Sequence, residues 1–236
     1  FIRWIVLHKD REIAECLSLA KLCEKIRMEQ NDPWYYPTTN DRVSIGLKDI
    51  AYRAQIYKGN RLRDRYALQV IRALFASSQY DACINYWNEV QGFLPNGLIK
   101  QMIRPYIAGA YYRTGAVERA MRIYAECGDI ASLIFCAGKQ EDKITEIEQL
   151  ELLYKYDPDS PIFPKILQEQ ISKTEASIEG YWDKPIWNTL LGLRNFAWKV
   201  AREGKATNRA MWYYTAAYLS DQNGDTQTAL DLLAKA

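Results

Sequence analysis

The sequence predicts an all-α chain. Apolar residues recur at spacings of three and four along most segments, and almost every break carries Gly, Pro, Asn or Asp. No segment sustains the alternation of a strand. The stretch from Gln101 to Cys127 shows the pattern most clearly. Ile107, Ala108 and Tyr111 share one helical face, and Ala120, Tyr124 and Cys127 share another. Gly115 lies between them, where the chain must turn and where glycine tolerates a positive φ. Ala108 and Ala120 are small where two helices approach, and the tyrosines fill the remaining space. This is the pattern of a packed helical hairpin.

In chain order, residues 1–8 read as the end of a helix. Asp10 is placed to cap a second helix running to about Gln30, with Ile13, Cys16, Leu17, Ala20, Leu22, Cys23 and Ile26 as its apolar face. Pro33 and Pro37 end it and fix an irregular loop around Trp34, Tyr35 and Tyr36. A third helix covers Asp41 to Tyr57 and stops at Gly59-Asn60. Leu62 to Ser77 and Tyr80 to Gln91 form the next pair, closed by Phe93-Leu94-Pro95-Asn96-Gly97. After Cys127, Gly128-Asp129 opens a short helix to Ala137, and an acidic helix spans Asp142 to Tyr156. Asp157 to Pro161 is a turn. Helices over Ile162–Ile178, Pro185–Arg202, Thr207–Gln222 and Asp225–Ala236 bring the total to about twelve.

Composition sets bounds on the class. The chain of 236 residues is 48% hydrophobic and 13% aromatic; its seven Trp and seventeen Tyr are large surfaces to bury. No run of eighteen apolar residues occurs, so no membrane span is expected. The chain opens on Phe1-Ile2-Arg3-Trp4 without Met or signal peptide and stops within a helical pattern, which reads as a piece of a longer protein. The net charge of +2 argues neither for nor against nucleic acid. Its distribution is uneven. Between Arg53 and Arg72 six basic residues face Asp64 alone, whereas Glu141 to Glu179 holds ten acids and four lysines. Solvated helix faces explain this; an array with a basic and an acidic end, able to steer partners, is the sharper reading.

Five cysteines, Cys16, Cys23, Cys83, Cys127 and Cys136, give an odd number and no Cys-x-x-Cys. Cys83 and Cys127 stand where a helical hairpin takes a small apolar residue. Free, buried cysteine is the expectation.

Setting Ala120 against Cys83 gives an offset of 37 residues. Val70, Ile71 and Leu74 then align with Ile107, Ala108 and Tyr111, and Trp87 and Val90 align with Tyr124 and Cys127. Pro95 follows Cys83 by twelve residues. Near the C-terminus Tyr213, Ala216 and Ala217, then Gly224, then Ala229 and Leu233 repeat the scheme. These pairs resemble degenerate tetratricopeptide repeats, with the best matches over 64–97, 101–134 and 210–236. The resemblance implies a TPR-like α-α superhelix of about six antiparallel hairpins, each burying its apolar face on the next, across a single domain of residues 1–236. It covers under half the chain, and the last match lies 109 residues from the one before it, so no strict period is implied.

A second set of phrases, Phe1-Ile2-Arg3-Trp4, His8-Lys9-Asp10-Arg11, Asn31-Asp32-Pro33-Trp34-Tyr35-Tyr36-Pro37 and Asp64-Arg65-Tyr66-Ala67-Leu68-Gln69, looks like uncharacterised helical-repeat proteins of Bacteroidales. That resemblance implies a bacterial envelope or secreted protein.

The tetratricopeptide resemblance implies a groove formed by the first helix of each hairpin. Mapped here, that face holds Arg65, Leu68, Arg72 and Phe75, then Met102, Tyr112 and Arg113, then Tyr214 and Tyr218. Members that clamp a C-terminal carboxylate carry Lys and Asn at groove positions where this chain has Leu68, Arg72, Pro105 and Gly109, which puts that ligand in doubt. The face is basic and aromatic, and the expected partner is a protein or peptide with an acidic or tyrosine-rich segment. Helical RNA readers keep a strict period, so nucleic acid is not expected. The loop Trp34-Tyr35-Tyr36 either plugs the gap between two hairpins or offers a stacking platform. The aromatics Tyr181, Trp182, Trp187, Phe196, Trp198, Trp212, Tyr213, Tyr214 and Tyr218 read mainly as core.

The chain has one histidine, His8, so no His triad or His metal cage can be assembled. No phosphate-binding glycine loop or nucleophile elbow occurs. Glu148 with Glu151, and Asp157 with Asp159, are the carboxylate pairs open to glycosidase chemistry, which needs its two carboxyls across a cleft. No catalytic residue, metal ligand or cofactor is nominated. The expectation is a non-enzymatic protein-interaction scaffold; the alternative is an exported helical protein that binds or processes glycans.

Overall fold

The computed structural model describes residues 2–30, 41–139, 143–178 and 184–236. Among them the backbone forms thirteen α-helices and no strand. These are α1 (Ile2–His8), α2 (Arg11–Gln30), α3 (Asp41–Gln55), α4 (Arg63–Ala76), α5 (Tyr80–Val90), α6 (Leu98–Arg113) and α7 (Val117–Cys127), then α8 (Ile130–Cys136), α9 (Glu146–Tyr156), α10 (Phe163–Ile178), α11 (Lys184–Glu203), α12 (Arg209–Gln222) and α13 (Thr226–Leu233).

The helix starts follow capping chemistry. The Asp10 carboxylate accepts the Ile13 amide at 3.2 Å and opens α2. Asp129, Asn208 and Asp225 accept the amides of Ser132, Met211 and Thr228 in the same way. Thr145 and Glu148 form a reciprocal capping box, which starts α9 at Glu146 rather than at Asp142. Gly115 and Gly224 adopt φ of 84° and 78° at the two hairpin turns that the sequence marks.

The chain divides into two compact units, residues 1–123 and 124–236, and the division falls inside α7, within the repeat assigned to 101–134. In the first unit α4 is central: it packs on α2 and α3 before it and on α5 and α6 after it. The first helices of successive pairs, α2, α4 and α6, therefore run as neighbours in one layer. Leu19 and Cys23 of α2, Leu47 and Ile50 of α3, and Val70 and Ala73 of α4 are fully buried in its core. Burying each large apolar side chain there contributes about 1.5–3 kcal/mol. Ala108, Ala120 and Cys83, the seam residues of the hairpins, are each 0% exposed.

In the second unit α11 packs on α9, α10 and α12, and α12 packs on α13. Trp212 is buried with its ring edge-on to Phe163 at 5.0 Å and to Phe196 at 5.6 Å. Ala217 of α12 is inaccessible. The turn after α9 is tied twice: Asp159 accepts the amide of Thr207 at 2.7 Å and also its hydroxyl, while buried Ser160 donates to the carbonyl of Ala125 at 3.1 Å. Of the aromatic group, Phe196, Trp212 and Tyr213 are core, Trp198 and Tyr218 are half-buried, and Tyr214 is 60% exposed. Tyr181, Trp182 and the Trp187 side chain lie outside the described residues.

No cysteine among the described residues is in a disulfide. Cys16, Cys23 and Cys83 are buried, while Cys127 and Cys136 are half-buried, so the expectation of burial holds for three of the five. Burial pushes the Cys83 thiol up to about 12.

Candidate functional site

Positions 65, 68, 72 and 75 are separated by three, four and three residues, which sets them on one side of α4. Since α2 and α6 flank that helix, the face is framed by both neighbours. Arg65 is exposed, and its charge reaches Cys16 of α2. Arg72 is half-buried and donates Nη1 to Oε1 of buried Gln69 at 3.4 Å. Its Nε is buried and finds no acceptor among the described residues. On α2, Lys21 holds the Glu24 carboxyl below the usual carboxylate range through a 2.8 Å hydrogen bond, and Arg72 adds to that pull.

Leu68 is 5% exposed and belongs to the core, so it has little surface to offer a ligand. Phe75 is half-buried, edge-on to Tyr80 at 5.4 Å and to Tyr106 at 5.6 Å, and so joins α4 to α5 and α6. Arg113, in the last turn of α6, is exposed and makes no hydrogen bond or ion pair among the described residues. Tyr112 beside it is half-buried, and Met102 is exposed. Tyr214 and Tyr218 lie on α12, in the second unit, where the Tyr218 hydroxyl donates to Glu175 of α10. The residues mapped to one groove are thus distributed over two units. Trp34, Tyr35 and Tyr36 lie outside the described residues.

Sequence reasoning passed over Gln69 and Tyr106, which touch Arg72 and Phe75. They occupy equivalent places at the offset of 37 residues, one position before Val70 and Ile107. That shared register was the signal available. A second unmatched donor is the hydroxyl of Tyr111 on α6, whose ring lies under the Arg119 guanidinium at 4.3 Å.

The acidic segment has a different character. Glu146 pairs with Lys173 at 3.0 Å, Glu148 with Lys139 at 3.5 Å, and Glu151 with Lys199 at 3.4 Å. Glu148 also closes the α9 cap, and Asp159 holds Thr207. Of the carboxylates singled out as possible acid–base pairs, Glu151 and Asp159 tie separate segments together, Glu148 caps its own helix, and Asp157 accepts the Asp159 amide at 3.3 Å. His8 donates from Nδ1 to the Trp4 carbonyl at 2.8 Å and stacks on the Trp4 ring at 4.2 Å, closing α1.

Among the described residues no group of three His, Cys, Asp or Glu could hold a metal ion, and no helix is long and apolar enough to cross a membrane. What remains on the face of α4 is a cationic, aromatic surface, with the unmatched Nε of half-buried Arg72 lying beneath it. Such a surface favours carboxylates and aromatic rings. No family model, curated protein or solved structure matches the chain.

Proposed function

We propose that the chain is a non-enzymatic interaction scaffold of TPR-like helical hairpins whose α4 face receives an acidic segment of a partner protein. The observation that carries this reading is Arg72: a half-buried guanidinium whose Nε has no acceptor among the described residues. A buried donor without a partner is costly, by about 1–3 kcal/mol, and a shift of the half-buried side chain towards a partner carboxylate would remove that cost. The side-by-side packing of α2, α4 and α6 supports the reading, because first helices arranged in that way form the partner-facing layer of tetratricopeptide proteins. Arg65 and Arg113 add long-range attraction, which raises the rate of capture of an acidic partner more than its final affinity.

A display selection of random peptides against the chain tests this. Enrichment of Asp/Glu-rich, tyrosine-containing sequences supports the scaffold, and a pool that shows no acidic enrichment counts against it.

A further inference from the structure

The first unit also contains a cleft of about 330 Å³ between the end of α3, the start of α4 and the end of α5. Its size falls within the range of roughly 300–1,000 Å³ typical of small-molecule sites. Arg63 and Ala67, which line it, lie on a different side of α4 from Arg65 and Arg72, given 100° per residue. The cleft is therefore separate from the surface assigned to partner proteins, and nothing in that assignment is needed here.

Its walls are rings. Tyr57, Tyr66, Tyr86 and Phe93 all line it, over the buried floor residues Ala67 and Leu94. The Tyr57 and Tyr66 hydroxyls already have partners, the amide of Leu62 at 3.3 Å and the carbonyl of Glu12 at 3.2 Å. Tyr66 is buried against Tyr57, so of these two residues half-buried Tyr57 offers ring surface, and neither offers a free polar group. Phe93 is 74% exposed and stands open to whatever enters.

Three polar side chains line the same cleft. Arg63, Glu89 and the Tyr86 hydroxyl each lack a hydrogen bond or ion pair among the described residues. Burial, with Glu89 nearby, raises the Tyr86 phenol above its usual range while Arg63 opposes the shift, so both charges reach that hydroxyl. The phenol stays protonated at neutral pH and can donate. Arg63 and Glu89 do not pair with each other, although they border the same opening. An anionic ligand would meet repulsion from Glu89, and a cationic one would meet repulsion from Arg63. A zwitterion satisfies both.

We propose that this cleft binds a free aromatic α-amino acid, with its ring among Tyr57, Tyr86 and Phe93, its carboxylate on Arg63 and the Tyr86 hydroxyl, and its ammonium on Glu89. The planar guanidinium suits a carboxylate, and ring–ring contacts favour an aromatic over an aliphatic side chain.

Isothermal titration calorimetry on the whole chain tests it with four probes: L-phenylalanine, L-phenylalaninamide, 3-phenylpropionate and L-leucine. The wild type should bind L-phenylalanine saturably at one site, and each of the other three at least tenfold more weakly. Arg63→Ala should weaken L-phenylalanine at least tenfold and strengthen the amide, whose ammonium no longer meets a like charge. Glu89→Ala should weaken L-phenylalanine at least tenfold and strengthen 3-phenylpropionate, whose carboxylate no longer meets a like charge. Both residues are exposed, so the variants should keep the wild-type circular dichroism spectrum. Absence of saturable heat at millimolar L-phenylalanine, or wild-type affinity in both variants, overturns the proposal. So does equal binding of all four probes. Arg72→Glu/Arg113→Glu should leave L-phenylalanine binding intact, so failure of the scaffold reading and failure of this one are distinguishable.

Discussion

The rings of Tyr57 and Tyr66 lie 3.9 Å apart, centroid to centroid, and within 2° of parallel. Gly59 makes this possible. A Cβ at that position would come within 2.2 Å of the Tyr57 hydroxyl and 2.4 Å of its ring. The Tyr57 hydroxyl also accepts the amide of Leu62, the residue that caps α4.

Gly59→Ala should therefore displace the Tyr57 ring, lose the stack and expose the cap. The expected cost is about 1–3 kcal/mol. The urea midpoint should fall accordingly. A second variant, Gly97→Ala, serves as the control, since a Cβ there meets nothing within 4 Å and φ is extended.

Ala120 is fully buried, at the small-residue position that the repeat register assigns to a close approach. Ala120→Leu should overpack it and cost about 1–3 kcal/mol, read as a lower urea midpoint. Glu118→Leu, on the exposed side of the same helix, should stay within about 0.5 kcal/mol of wild type. Equal midpoints for the two variants would show that the register is displaced.

Stability should fall in acid. Hydrogen bonds hold Asp10, Glu148, Asp159 and Asp225 below their usual range: from Arg61 to Asp10, from Thr145 to Glu148, from Thr207 to Asp159 and from Thr228 to Asp225. The sign follows from linkage. Each group binds fewer protons folded than unfolded, so its contribution is complete above the unfolded value of about 4 and is lost as pH falls through the lower folded value. The melting temperature should drop between about pH 4 and pH 2. Asp159→Asn should lower it at pH 7 and flatten the acid limb.

The thiols should separate by burial. Cys83 is pushed up to about 12, against about 8.5 for an exposed thiol. At pH 8 a disulfide reagent should label Cys127 and Cys136 first and leave Cys16, Cys23 and Cys83 unreacted until urea unfolds the chain. Because the folded Cys83 value lies above the unfolded one, stability is complete below about 8.5 and declines as pH rises toward 12.

The positions of the helices were legible because the breaks carry residues with local consequences. Asp10, Asp129 and Asp225 cap, and Gly115 and Gly224 take positive φ. The seam residues Cys83, Ala108, Ala120 and Ala217 were legible as small side chains at helical spacing, and all four are inaccessible. The burial of Leu68 was not. On α4 every residue from Tyr66 to Ile71 is buried, because α2, α3, α5 and α6 all pack against it. A helix covered on several sides has no single apolar stripe for periodicity to find. Ties such as Asp10 to Arg61 and Asp159 to Thr207 join residues about fifty positions apart, and no local pattern announces them. The division inside α7 was equally hidden, since the hairpin pattern continues through it.

Fluorescence anisotropy with an acidic, tyrosine-containing peptide, chosen by display, is the decisive measurement. Wild type and Arg72→Glu/Arg113→Glu would be titrated at low and physiological salt, with matched circular dichroism spectra and urea midpoints. If the α4 face receives acidic partners, the double variant should bind at least tenfold more weakly, and the wild-type affinity should fall as salt rises. Equal affinity in two equally folded proteins would contradict that role for Arg72 and Arg113.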